Sequence, residues 1–173
     1  TSRQRLAGAG TQTAGLAFGG GYPPTAHSET EEYDGSSWTN GGSLGTARGR
    51  LAGSGIQTAG LAFGGSTVAE PPSKTNATEE YDGSSWTAGG ALSVPRFMLG
   101  GGGTQTAGIA FGGNTNPPPG GTNATEEYDG SSWTNGGTLG TARYLLSGSG
   151  AQDAALAAGG NDGSESSACE VYD

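Results

Sequence analysis

The side chains with the most chemistry in them recur in register. Glu31-Glu32-Tyr33-Asp34, Glu79-Glu80-Tyr81-Asp82 and Glu126-Glu127-Tyr128-Asp129 are three copies of one acidic cluster, and Glu170-Val171-Tyr172-Asp173 is a fourth with one carboxylate replaced. An arginine stands at one equivalent place ahead of each cluster, at Arg3, Arg48, Arg96 and Arg143, using four of only seven Lys and Arg. Paired carboxylates beside a phenol and a guanidinium are the raw material of general acid–base catalysis. Their fourfold recurrence argues against that use, because catalytic sites break symmetry while packing devices repeat. The two Glu of each pair project to opposite faces of an extended strand, so they should differ in role. The first (Glu31, Glu79, Glu126, Glu170) is expected partly buried on the Tyr face, in a bidentate pair with the blade-joining Arg that fixes orientation. The alternative is that both Glu are simply solvated.

Other reactive chemistry has little to work with. His27 is the only histidine and lies in a Pro-rich loop, and Cys169 is the only cysteine. One chain can therefore assemble neither a Ser-His-Asp or Cys-His site nor a multi-His metal site, and no disulfide. The Asp-Gly steps lack the alternating oxygen ligands of a calcium loop. Gly101-Gly102-Gly103 precedes no helix and so is not a phosphate loop. The expectation is a protein that is not an enzyme, with no cofactor and no metal. A net charge of −9 argues against nucleic-acid binding, and no apolar run is long enough to insert into a membrane.

These residues are carried by a repeat. Tyr33 to Tyr81 is 48 residues, Tyr81 to Tyr128 is 47 and Tyr128 to Tyr172 is 44. The segment Thr-Glu-Glu-Tyr-Asp-Gly-Ser-Ser-Trp occurs at 30–38, 78–86 and 125–133, and a second block, Arg48 to Gly65, recurs at 3–20, 96–113 and, eroded, 143–160. A fixed period near 47 signals a repeat architecture. It also argues against disorder in a chain with 37 Gly and 8 Pro, since Trp, Tyr, Phe and Leu return at fixed places. Within the repeat the pattern has period two: Ala59, Leu61 and Phe63 share one face, and Ala77, Glu79 and Tyr81 share a face of the next strand. Asp82-Gly83 predicts a tight hairpin with positive φ at both residues. Ser84-Ser85-Trp86-Thr87 is expected as a third strand and 99–103 as a fourth. The chain reads as one all-β domain, 1–173, of four-stranded antiparallel units at about 1–45, 46–93, 94–140 and 141–173. The recurring Trp and Tyr are expected to pack blade against blade.

A Gly-Gly doublet ending an apolar strand, then Tyr-Asp, then Trp four residues after the Asp, then an Arg opening the next unit, resembles the kelch repeat, and the resemblance covers the whole chain. It implies a kelch-like β-propeller. The wording of the repeats is similar to kelch-like repeats of marine tailed phages and environmental sequences, which implies a tail or capsid appendage at a virion surface or outside a cell. Kelch-type copper oxidases need two His with Tyr ligands, which this chain does not supply.

Function on a repeat scaffold lies in what varies. The variable segments are 21–29, 66–76, 114–123 and 161–167, which are expected to form one face of the disc. Loops around Tyr22, Pro23 and Pro24, around Pro71 and Pro72, and around Pro117, Pro118 and Pro119 are the candidate binding surface for glycan or protein. Asn76-Ala77-Thr78 and Asn123-Ala124-Thr125 are acceptor sequons, so Asn76 and Asn123 are candidate glycosylation sites. The Trp segment occurs three times against four copies of the rest, giving about three and three-quarter repeats. Three readings follow: an excerpt of a longer propeller completed by further blades, a subunit that assembles with its own copies by strand addition into filaments or rings, or a small four-bladed disc. The leading expectation is a non-catalytic extracellular or virion-surface recognition module. The alternatives are a glycosylated filament subunit and a fragment of a propeller enzyme acting on sugars.

Overall fold

The computed structural model describes residues 2–22, 25–67, 73–115 and 120–173, with the side chain of Tyr22 excepted. Pro23, Pro24, Pro71, Pro72, Pro117, Pro118 and Pro119 lie outside the described residues. All regular structure among the described residues is β. The first sheet holds β1 (Ala7–Thr11), β2 (Ala14–Phe18), β5 (Thr30–Tyr33) and β6 (Trp38–Asn40), with β3 (Gly21–Tyr22) and β4 (Thr25–Ala26) paired in the loop between its middle strands. The second holds β7 (Ala52–Ile56), β8 (Ala59–Phe63), β9 (Thr78–Tyr81) and β10 (Trp86–Gly89). The third holds β11 (Gly100–Gly103), β12 (Gly108–Phe111), β13 (Thr125–Tyr128) and β14 (Trp133–Asn135). The fourth has three strands, β15 (Ser147–Ala151), β16 (Ala154–Ala158) and β17 (Cys169–Tyr172). Each is an antiparallel meander, and together they form a four-bladed β-propeller.

The register corrects three details of the sequence reading. The Gly-rich segment expected as a fourth strand is the first of its blade, starting at Gly100, and the first strands of the blades face one another across the axis. The Trp strand starts at Trp86, not Ser84, because Ser84 and Ser85 belong to the turn. That turn is a four-residue loop and only its glycine has positive φ, at 92° for Gly83. It is closed by the Asp82 carboxylate, whose Oδ1 accepts the N–H of Ser84 and of Ser85 at 2.8 Å. An Asp side chain standing in for a backbone acceptor removes the need for a second left-handed residue. Asp34 and Asp129 repeat the arrangement. The donors, Ser85 backbone first, hold the Asp82 carboxyl at about 2. Because the folded value is depressed, the support this carboxylate gives its turn is present above 3.8 and lost as pH falls through about 2.

In the second and third blades both faces of the inner strand are buried, since these blades are sandwiched by their neighbours: Gly60, Leu61, Ala62 and Phe63 are all buried, as are Gly108 to Phe111. The blades meet leucine-on-glycine. A Cβ at Gly60 would stand 2.8 Å from Leu16 Cδ2, and one at Gly108 2.7 Å from Leu61 Cδ2, so glycine there is required by close approach. The core is thereby made from few large side chains, with Phe18, Phe63 and Phe111 fully buried.

The Trp residues do join blades, but not all alike. Trp86 packs on Phe18 of the preceding blade, ring centroids 4.8 Å apart, and Trp133 on Phe63 at 4.9 Å. Their indole N–H groups donate to Thr30 Oγ1 and Thr78 Oγ1, both at 2.9 Å. Among the described residues Trp38, in the first blade, stacks on its own Tyr33 alone and is 52% exposed. On the outer face of the fourth blade Leu156 is 37% exposed, whereas its counterparts Leu16, Leu61 and Ile109 are buried.

Candidate functional site

The structure brings together all four Arg–Glu pairs. Arg3 Nη2 lies 2.8 Å from Glu31 Oε2, Arg48 Nη2 3.1 Å from Glu79 Oε1 and Arg96 Nη2 2.8 Å from Glu126 Oε1; Arg143 pairs with Glu170 in the same way. Arg48, Arg96 and Arg143 are among the most buried side chains of the protein. The geometry is not the bidentate fork expected. Each of these three guanidiniums gives one nitrogen to the carboxylate and another to two backbone carbonyls, Gly64 and Ala77 in the case of Arg48. The second carboxylate oxygen takes a backbone N–H instead, from Gly45 (2.6 Å), Ser93 (2.8 Å) or Gly140 (2.6 Å). The pair thus pins the crossing segment onto the middle strands of the blade it leads into. Burial pushes the Arg48 and Arg96 pKa down, opposed by the charges of Glu79 and Glu126.

The second Glu has the joining role. Glu32 accepts the hydroxyl of Tyr81 in the next blade, Glu80 that of Tyr128 at 2.5 Å, and Glu127 that of Tyr172. A further link was missed from sequence. Gln57, Gln105 and Gln152 reach back to carbonyls of the preceding blade, Gln105 to Gly60 at 3.2 Å and Tyr81 at 2.7 Å. Its signal was present, since glutamine recurs at the hairpin of every repeat. Among the described residues no such Gln or Tyr–Glu bond joins the fourth blade to the first, where Val171 stands in place of the second Glu and Tyr33 is the phenol without a carboxylate.

Burial first, and then the hydrogen bonds to Glu32 and Glu80, push the Tyr81 and Tyr128 phenols up to about 12. A raised folded pKa means that these groups stabilise the fold fully below their usual 10.0 and lose that effect as pH rises through about 12. An ultraviolet titration of phenolate should therefore show a delayed step near pH 12 that coincides with unfolding and shrinks in Tyr81→Phe and Tyr128→Phe. Phenolate formation by all tyrosines together near pH 10 would contradict these bonds.

With the repeated ionisable groups engaged in blade contacts, the positions where repeats differ mark the candidate site. One open cavity of about 300 Å³ lies at an end of the axis, lined by Arg5, Arg50, Met98 and Leu145 and the leucine that follows each. It shares Leu51, Leu99 and Leu146 with a second space between the first strands of the blades. Those four lining residues occupy one equivalent position, and each has a left-handed backbone, φ 58°, 56°, 57° and 58°. Non-glycine residues there cost of order 1–3 kcal/mol and persist where surroundings enforce them. Here a chain of hydrogen bonds does so: Arg50 N–H to Arg5 O (2.9 Å), Met98 N–H to Arg50 O (2.9 Å) and Leu145 N–H to Met98 O (2.7 Å).

The bases of the variable loops lie beside the same cavity. Gly49, Phe97 and Tyr144, each one residue before a lining residue, bridge to Ser66, Asn114 and Asn161 at the loop bases, and Gly21 N–H donates to Gln4 O at 2.7 Å in the first repeat. Lys74 in the second loop donates to the Thr115 carbonyl in the third. Arg5 and Arg50 are the two arginines outside the repeated pairs, and the Arg50 guanidinium lies 5.5 Å from the Phe97 ring centre. The mouth therefore combines two positive charges with the apolar Met98 and Leu145, in a protein of net charge −9. Asn76 and Asn123 stand at the loop ends, with side-chain amides donating to Leu92 O (3.0 Å) and Leu139 O (3.2 Å). His27 Nδ1 is 3.2 Å from Glu29 Oε2. Among the described residues no group of three or more His, Cys, Asp and Glu could hold a metal ion, and no helix is long and apolar enough to cross a membrane.

Fold and cavity define an all-β, four-bladed propeller with an axial mouth beside the bases of its variable loops. No protein-family model matches the chain, and no curated protein matches it.

Proposed function

We propose that this chain is a non-catalytic recognition module, kelch-like in its repeats, that holds a glycan or protein ligand against the loop-ringed end of its axis. The carrying observation is the segregation of its residues. Repeated Arg, Glu, Tyr and Gln make blade contacts, while one position that differs between repeats, Arg5, Arg50, Met98 and Leu145, lines one cavity. Cationic Arg5 and Arg50 beside apolar Met98 and Leu145 suit an acidic sugar, whose carboxylate takes the charge and whose ring face takes the apolar rim. The likeness of the repeats to those of phage proteins supports a setting outside the cell or on a virion surface.

A glycan array probed with the chain and with an Arg5→Ala/Arg50→Ala variant tests this. The expected result is binding to acidic glycans that falls at least tenfold in the variant and is unchanged in Thr134→Ala, at the exposed rim. Binding indifferent to the two arginines, or turnover of a bound glycan, would overturn the reading. A filament subunit is the second reading, favoured by the open outer faces at Trp38 and Leu156. Head-to-tail docking of copies is opposed by Val171 and Ala158, which replace the Glu and Phe that every internal junction uses. Sedimentation should show no concentration-dependent growth.

A further inference from the structure

We infer that the buried arginines of the second, third and fourth blades each bind an internal water molecule through Nε–H, and that the small cavity beside Arg96 is one of these three sites. The first observation is a set of donors. Arg48, Arg96 and Arg143 give Nη1 to backbone carbonyls and Nη2 to a carboxylate. The Nε of all three is buried and has no hydrogen-bond partner among the described residues. A buried polar group without a partner is uncommon, and a charged donor is more costly to strand than a neutral one. Recurrence at three equivalent positions makes it a property of the repeat.

The second observation is a cavity of about 50 Å³ whose wall includes Arg96, Glu126, Ser93, Thr115 and Thr122. That is room for about one or two waters. The occupant has to accept hydrogen bonds. Arg96 offers Nε–H, and Thr122 Oγ1 already accepts the Ala124 N–H at 3.1 Å, so what it offers a further partner is its O–H. An anion would accept from both, but the Glu126 carboxylate on the same wall repels it. Water accepts from both and can donate to the hydroxyls of Ser93 and Thr115, which gives it the two to four partners an internal water keeps.

The hydroxyl recurs with the arginine. Thr75 Oγ1 accepts the Ala77 N–H at 3.0 Å and Ser166 Oγ the Ala168 N–H at 3.3 Å, and Arg48 and Arg143 donate Nη1 to the carbonyls of those same alanines. Three blades therefore gather an arginine and a hydroxyl around one alanine. In the first blade His27 takes the hydroxyl's place: its N–H donates to Gly20 O as that of Thr75 does to Gly65 O. At Arg96 the water reaches the base of a variable loop, since Thr115 and Thr122 belong to the segment whose Thr115 carbonyl accepts Lys74 of the loop before. The site is separate from the axial mouth and does not rest on the recognition reading.

Water-selected NOE and ROE spectroscopy of the whole chain, labelled with nitrogen-15 arginine, tests this. The Nε–H groups of Arg48, Arg96 and Arg143 should each give a cross-peak at the water frequency, opposite in sign in the two experiments, as a bound water does and a passing one does not. A hydroxyl that trades its proton with solvent can relay the same signal, and Thr122→Val separates the two. The Arg96 peak should keep most of its intensity there, because the Nε–H and the other wall hydroxyls remain. Its disappearance in a folded Thr122→Val variant would assign the signal to relay and overturn the proposal. Absence of water peaks at the three groups in the unsubstituted chain would overturn it outright, and a peak at Arg96 alone would overturn the claim of a repeated site.

Discussion

Arg96→Met is expected to lower the unfolding free energy by about 3–5 kcal/mol, the range for removing one partner of a buried ion pair. The substitution keeps most of the side-chain volume, so the loss is electrostatic. Glu126 is 1% exposed and would retain only the Ser93 N–H, while the Gly112 carbonyl would lose the Arg96 donor and the Ala124 carbonyl would keep just the Gly112 N–H. A second substitution, Glu126→Gln, should recover part of the loss, because a neutral amide tolerates the site better than an unpaired carboxylate. Arg3→Met should cost less, as Glu31 is 24% exposed at its side chain and can turn to water. Denaturant unfolding of the three variants gives the comparison. Equal losses at Arg3 and Arg96 would mean that burial of the carboxylate is not what makes the pair costly to break.

Phe63→Ala should cost about 3–5 kcal/mol as a large-to-small core substitution. The ring is fully buried between the second and third blades, against Trp133 on one side and Gly101 on another. A Cβ built on Gly101 would stand 2.5 Å from Phe63 Cζ, so Gly101→Ala alone overpacks the same contact, at about 1–3 kcal/mol. In the Phe63→Ala background that penalty should vanish, because the new methyl enters the space the ring has left. The double-mutant cycle therefore has a predicted sign as well as a size: the two losses are less than additive. Additive losses would show that Phe63 and Gly101 do not meet.

The sequence carried the blade and the aromatic residues that join one blade to the next, but not the hydrogen bonds across those joints. The period of the Tyr residues and the step between each Arg and its Glu were enough to anticipate four-stranded units and all four ion pairs, because both partners lie within one repeat. The bonds between blades were not legible in the same way. Tyr81 reaches Glu32, and Trp86 reaches Thr30, one repeat back, and a periodic sequence does not say which of two identical neighbours a side chain will face. The Asp-Gly turn misled because a carboxylate took the place of a left-handed residue. The axial mouth gave no compositional signal, since its left-handed positions hold Arg, Arg, Met and Leu where glycine would be expected. Its one trace is variation inside an otherwise fixed block, at Arg5, Arg50, Met98 and Leu145, which is slight beside the variation of the loops.

On the proposed reading, recognition belongs to the axial mouth and the loop bases beside it, and the repeated charges serve the blades. Amide NMR during titration with an acidic glycan taken from the array tests it most directly. The account predicts shifts at Arg5, Arg50, Met98 and Leu145 and at Ser66, Asn114 and Asn161, with the rim turns at 34–37, 82–85 and 129–132 unmoved. Shifts centred on those rim turns, with the axial residues silent, would contradict it.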